Sequence, residues 1–162
     1  MKCLLIIPAY NEQDSIVRVI ENLKNNFPQY DYVIINDGSA DSTPEICRAK
    51  GYELIDLPVN LGLAGAFQTG LKYAYQKGYD YAIQFDADGQ HRPEYIEPIL
   101  NKMKAGYDIV IGSRFVKKKK DLSLTYDFNY PIGVTLCVEC PPHSKNVYYK
   151  MRGTRKYLSR MV

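Results

Sequence analysis

The chain has no tryptophan, two histidines, four cysteines and no apolar run near the ~20 residues that a membrane-spanning helix needs. Cys3-Leu4-Leu5-Ile6-Ile7 is too short for the core of an export signal and is stopped by Pro8, so it reads as a buried strand. Without an export signal, the cysteines are expected as reduced thiols in a cytoplasmic protein. His91 and His143 are the sole histidines, and neither lies in a motif that would pair it as a base with a serine or cysteine nucleophile. A large charge of one sign is also missing: the net charge is +3, and no basic stripe interleaved with aromatics marks a nucleic-acid surface. The one basic run, Lys117-Lys118-Lys119-Lys120, is expected as a solvated loop, with contact to anionic lipid headgroups at the inner face of a membrane as its second reading.

Two phosphate-binding signatures are absent as well. No GxGxxG follows the first strand, which argues against a dinucleotide cofactor. Asn60-Leu61-Gly62-Leu63-Ala64-Gly65-Ala66 is rich in small residues that let a backbone approach a ligand, but it lacks the Gly-Lys-Ser/Thr ending of a nucleotide-hydrolysing loop. Cys137, Cys140 and His143 resemble part of a zinc site with no second ligand pair after it. The 15 tyrosines are scattered and read as half-buried packing.

What is present is an alternation of two periods. Residues 3–7, 32–35, 53–57, 81–85 and 109–111 are short β-rich runs. Between them Ile16, Ile20, Leu23 and Phe27 recur at helical spacing, predicting a helix over about 13–26. Ser42-Thr43-Pro44-Glu45 has the spacing of a capping box and opens a second helix, with Asp41 or Ser42 as its cap, that Gly51 ends. A third helix is expected over 64–76, and a fourth from Pro93 that Pro98 kinks or shortens. Strand and helix alternating at this interval predict an α/β fold: a mostly parallel, Rossmann-like sheet with right-handed crossovers and helices on both faces. After Phe115 the pattern fails; a strand over 133–138 and a short helix near 155–161 are the remaining expectations.

Ligands of such sheets bind outside the carboxyl ends of the strands, so the residues there deserve inspection. Pro8-Ala9-Tyr10-Asn11-Glu12 follows the first strand, Asn36-Asp37-Gly38-Ser39 the second, Asp86-Ala87-Asp88-Gly89-Gln90 the fourth and Gly112-Ser113-Arg114 the fifth, and all four are expected to converge on one edge. Asp86 and Asp88 are spaced to face one hard cation, Mg²⁺ or Mn²⁺, with the amide oxygen of Gln90 as a third ligand. The spacing alone is also that of a turn; the position after the fourth strand, opposite Asp37, favours the metal. Asp37 can accept hydrogen bonds from a base imide or a ribose hydroxyl, Tyr10 can stack on a base, Glu12 can reach a ribose, and Arg114 can hold a phosphate oxygen through its fork of donors.

Together Ile7-Pro8-Ala9-Tyr10-Asn11-Glu12, Asn36-Asp37-Gly38-Ser39-Ala40-Asp41-Ser42-Thr43, Phe85-Asp86-Ala87-Asp88-Gly89-Gln90-His91 and Ile111-Gly112-Ser113-Arg114-Phe115 resemble the family 2 glycosyltransferases, most of all the dolichyl-phosphate mannose synthase and polyprenyl-phosphate sugar transferase branch. The resemblance covers residues 1–116 and implies a nucleotide-sugar-binding core of GT-A fold there, a nucleoside diphosphate sugar linked to uridine or guanosine, and Mg²⁺ or Mn²⁺. It implies that Pro8, Ala9, Tyr10, Glu12 and Asp37 line the nucleoside pocket, joined by Asp86, Ala87 and Asp88. Asp86, Asp88 and Gln90 would hold the metal, and Asp86, Asp88 and Arg114 would serve catalysis of an inverting sugar transfer. The acceptor is left open, a polyprenyl phosphate being one that the branch implies. Residues 117–162 match none of these motifs and are expected as a divergent segment packed on or trailing the core. A non-catalytic nucleotide-sugar-binding module lacking the acceptor half is the alternative. A sugar-nucleotide pyrophosphorylase is disfavoured, because it predicts a glycine-rich basic loop where Pro8-Ala9-Tyr10-Asn11-Glu12 is acidic and aromatic.

Overall fold

The computed structural model describes residues 1–107, 109–112 and 136–139. Six strands form one sheet: β1 (Cys3–Ala9), β2 (Asp31–Asn36), β3 (Leu54–Asp56), β4 (Tyr81–Gln84), β5 (Ile109–Ile111) and β6 (Leu136–Glu139), in the spatial order β3-β2-β1-β4-β6-β5. Helices α1 (Ile16–Asn26), α2 (Thr43–Ala49), α3 (Gly62–Gln76) and α4 (Ile96–Lys104) connect them. The pairs β1·β2, β1·β4 and β2·β3 are parallel, as expected. β6 enters between β4 and β5 and runs antiparallel to both, pairing Ile83 with Cys137 and Val110 with Cys137. A strand was expected near β6, but local pattern says nothing of its neighbours, which long-range pairing decides. Cys140, His143, the lysine run and the helix expected near 155–161 lie outside the described residues.

β1 is central, so its side chains are buried on both faces of the sheet. Leu5 and Ile7 join Ile16, Ile20 and Leu23 of α1 and Ile96, Ile99, Leu100 and Met103 of α4 in one core. Leu4 and Ile6 point to the opposite face and join Ala66, Phe67, Leu71 and Ala74 of α3 in the other. The period-2 alternation of a strand thus produces two cores from five consecutive apolar residues.

Two expectations about helix starts need correction. The capping box at Ser42 does not form: the side chain of Ser42 makes no cap hydrogen bond, and Glu45 instead pairs with Arg48 at 3.7 Å. Asp41 takes the capping role, its Oδ1 accepting from the Thr43 N–H at 3.0 Å. Pro98 does not kink the fourth helix. Pro93–Tyr95 form a single 3₁₀ turn, and α4 begins at Ile96, which puts Pro98 in its first turn, where the missing N–H has no intrahelical partner to lose.

Gly70 lies buried on α3 where the helix presses on β1, and a Cβ added there would collide with the side chain of fully buried Ile6. Helix propensity favours alanine by about 1 kcal/mol, but overpacking a filled core costs about 1–3 kcal/mol. Gly70→Ala is therefore expected to lower the urea midpoint without changing the slope; an unchanged or raised midpoint would show that α3 can slide away from the sheet.

Candidate functional site

Three adjacent parallel strands, β2, β1 and β4, end at the same edge of the sheet. The ladder continues just past β2, where the Asp37 N–H donates to the Ala9 carbonyl at 2.8 Å, and past β4, where the Phe85 N–H donates to the Ile6 carbonyl at 2.9 Å. Pro8 and Ala9, Asp37, and Asp86 are therefore brought together by strand register. With Tyr10, Glu12, Ala87 and Asp88 they line one cleft of about 340 Å³. All eight residues assigned to nucleotide contact from the sequence thus border the same space. Gln90 does not line the cleft; its backbone N–H donates to Asp88 Oδ1 at 2.8 Å, closing the turn that presents Asp88. Ser113 and Arg114 lie outside the described residues.

The loops after β1 and β2 are stitched to each other. Asn11 takes a left-handed backbone conformation, φ 56°, at the strand-to-helix turn, which asparagine tolerates better than most residues. Its N–H donates to Ser39 Oγ at 2.9 Å and its Oδ1 accepts from the Ala40 N–H at 2.9 Å. The Glu12 N–H donates to Thr43 Oγ1 at 2.9 Å, and the Gln13 N–H to Asp41 Oδ2 at 3.1 Å. Glu12 itself receives the Ser15 hydroxyl on its carboxylate. The polar residues of the two motifs thus divide their work: Asn11, Ser39, Asp41 and Thr43 hold the loops, and Tyr10, half exposed at 51%, borders the cleft.

Asp37 is buried, with 3% of its surface exposed, and its Oδ1 accepts from the Leu61 N–H at 2.7 Å. That bond brings the start of α3 against the end of β2. Gly38 allows the approach, since a Cβ there would lie 2.7 Å from the Asn60 nitrogen, and its φ of +66° favours glycine in any case. The result is a wall from a third loop: Asn60, Gly62 and Leu63 also line the cleft. Sequence reasoning noted the small residues of this loop without assigning them to the site; the contact through the Leu61 N–H has no signal in local pattern.

Around the paired aspartates, Gln84 Nε2 donates to Asp86 Oδ1 at 3.0 Å, and the Asp86 N–H donates to His91 Nδ1 at 3.0 Å. Burial pushes the imidazole of His91 below its usual range, against the opposing pull of Asp86 and Asp88. A ring whose Nδ1 accepts a hydrogen bond, and whose charged form burial disfavours, is neutral with its proton on Nε2.

The donor set fits a hard divalent cation that the protein binds only in part. Among the described residues no group of three or more His, Cys, Asp or Glu is arranged to hold a metal. Asp86 and Asp88 supply two carboxylates, and Mg²⁺ or Mn²⁺ characteristically keeps waters and takes substrate phosphates as its remaining ligands. The charge of the cleft points the same way. Glu12, Asp37, Asp86 and Asp88 line it, and no lysine or arginine does among the described residues.

The chain matches the family described as Glycosyl transferase family 2 over residues 4–160, a span that takes in the four motifs and continues past them. It is 41% identical over 145 residues to the UDP-N-acetylglucosamine–dolichyl-phosphate N-acetylglucosaminyltransferase of Methanococcus voltae, covering 75% of this chain and 56% of that one. It is 33% identical over 121 residues to the undecaprenyl-phosphate mannosyltransferase of Micrococcus luteus, covering 72% and 49% respectively. The chain spans about half the length of the curated relatives it matches. Among solved structures, glucosyl-3-phosphoglycerate synthase from Mycobacterium tuberculosis superimposes with a TM-score of 0.61 at 16% identity, over 85% of this chain and 56% of that one. The fold is thus the GT-A fold that the motifs implied, and with a family match running through nearly the whole sequence the chain belongs to glycosyl transferase family 2.

Proposed function

We propose that this chain binds a nucleoside diphosphate sugar, linked to uridine or guanosine, together with Mg²⁺ or Mn²⁺, and serves an inverting transfer of the sugar to an acceptor of the polyprenyl-phosphate class. The observation that carries the donor reading is the charge of the cleft. A diphosphate would enter a space lined by four carboxylates and no described cation, and each pair of like unit charges about 4 Å apart costs about 4 kcal/mol near a protein surface. Such a cleft takes an anion only with a counter-cation, and in this reading the two aspartates that follow β4 hold it. The acceptor class is supported by the dolichyl- and undecaprenyl-phosphate transferases among the relatives.

In this reading Pro8, Ala9, Tyr10 and Asp37 receive the nucleoside, and the stitched loops keep Tyr10 and Glu12 from drifting when the base is absent. Asp86 and Asp88 hold the cation with Gln90 beside them. When bound, the cation supplies positive charge to the departing diphosphate. Arg114 would add its guanidinium to the same charge. The bond from the anomeric carbon to the diphosphate breaks with its electron pair leaving on the diphosphate, and an acceptor oxygen forms the new bond from the opposite face. A phosphate acceptor is already an anion, so no strong base is required of this chain. Lys117 to Lys120 would meet the headgroups of a membrane that carries such an acceptor; among the described residues no helix is long and apolar enough to cross it.

Titration calorimetry with UDP and GDP, with and without Mn²⁺, tests the proposal. Binding of one of them that strengthens at least ~10-fold with Mn²⁺ is the expected result. Binding that is indifferent to the metal, or absent for both, would overturn it.

A further inference from the structure

His91 is the buried polar residue of the site whose chemistry the sugar transfer leaves unused. Its side chain is 1% exposed, and its ring meets that of Phe85 edge-on at 5.5 Å between centroids. Nδ1 accepts the Asp86 N–H at 3.0 Å. That bond sits two residues past the end of β4, just after the Phe85 N–H has bonded to β1, so the ring takes over where the sheet stops. Nε2 lies 3.4 Å from Asp86 Oδ2 and has no hydrogen-bond partner among the described residues. The two nitrogens of an imidazole point in widely different directions, so a ring that accepts the Asp86 N–H on Nδ1 does not aim its Nε2–H at the Asp86 carboxylate, and a buried donor left unsatisfied costs about 1–3 kcal/mol. The other oxygen of that carboxylate is held by Gln84 Nε2 at 3.0 Å.

We propose that His91 is a positioning residue for the cation site: its imidazole clamps the backbone of Asp86 through Nδ1, so that the Asp86 carboxylate faces the cleft beside Asp88. The proposal rests on the donor-site reading above and goes beyond it by naming what aims the ligand. Asparagine can place Oδ1 near the position of Nδ1 and keep the backbone clamp, whereas glutamine places its amide near the position of Nε2 and leaves the Asp86 N–H without that acceptor. A role in folding alone would change stability and leave the affinity of folded protein for a cation untouched. A role in aiming Asp86 lowers that affinity by about 10–100-fold, as loss of groups that orient metal ligands does elsewhere.

The test measures Mn²⁺ uptake by electron paramagnetic resonance in the presence of UDP or GDP, for wild type, His91→Ala, His91→Asn and His91→Gln, with circular dichroism to verify the fold. The expected result is a loss of about 10-fold or more for alanine with partial recovery by asparagine and none by glutamine. A folded alanine variant that takes up Mn²⁺ as wild type does overturns this proposal alone. So does failure of asparagine to recover any affinity, or recovery by glutamine to the same extent. Wild-type protein that takes up no Mn²⁺ with either nucleotide overturns the donor-site reading and this proposal with it. Should the variants not fold, the ¹⁵N spectrum of the wild-type imidazole decides: the Nε2–H tautomer is expected, and the Nδ1–H tautomer overturns the clamp.

Discussion

Asp88→Asn is expected to abolish the gain in nucleoside diphosphate affinity that Mn²⁺ confers, while metal-free affinity stays the same or rises slightly. The substitution is chosen because Asp88 has two tasks. Its Oδ1 accepts the Gln90 N–H at 2.8 Å, and the amide oxygen of asparagine can do the same, so the turn is kept and only the charge is lost. Groups that merely orient a metal ligand are worth about 10–100-fold in affinity, so removing the charge of a ligand is expected to cost ~100-fold or more in the presence of Mn²⁺. Without metal the sign reverses. One carboxylate fewer among the four that line the cleft means less repulsion of the diphosphate. Calorimetry at matched ionic strength reads both limbs, and an equal loss with and without Mn²⁺ would show that Asp88 serves the turn rather than the cation. The effect in metal-free buffer should shrink as salt is raised, since the cleft is open to solvent and screened.

The parts of the molecule that could be read from the sequence are those set by local pattern. β1, β2 and β4 are dense apolar runs bounded by polar turns, and each appears within a few residues of its expected place. The binding edge followed from topology: parallel strands put their carboxyl ends together, so the polar residues after them had to meet. What escaped was decided between segments. Asp41 and Ser42 are both candidate caps in the sequence, and the choice falls to Asp41, which also accepts the Gln13 N–H from the neighbouring loop. Asn60, Gly62 and Leu63 enter the site because a buried carboxylate 24 residues earlier captures the Leu61 N–H. His91 looked like the tail of a motif and is in fact folded back under its head, an arrangement that five residues of spacing permit and do not announce. β6 needed a partner on each side, and neither is near it in sequence.

Asp37→Asn should weaken nucleotide binding by about 10- to 150-fold, equally with and without Mn²⁺, and leave thermal stability unchanged or raised. Asp37 Oδ1 holds the Leu61 N–H, a bond that an amide oxygen can accept, so the α3 loop is expected to stay against β2. The second oxygen becomes an NH₂. A donor on the nucleoside that had met a carboxylate then meets another donor, and hydrogen bonds to charged groups are worth about 1.5–3 kcal/mol, which is the stated range. Stability moves the other way because the carboxylate is buried, and a neutral amide costs less to desolvate there. The contrast with Asp88 is the informative part. If the two aspartates act on different pieces of one ligand, their effects are distinguished by metal dependence, and the double variant loses the product of the two factors in Mn²⁺ buffer. Losses well short of that product would place both aspartates on one shared element, and the division of the cleft into a nucleoside end and a diphosphate end would fall.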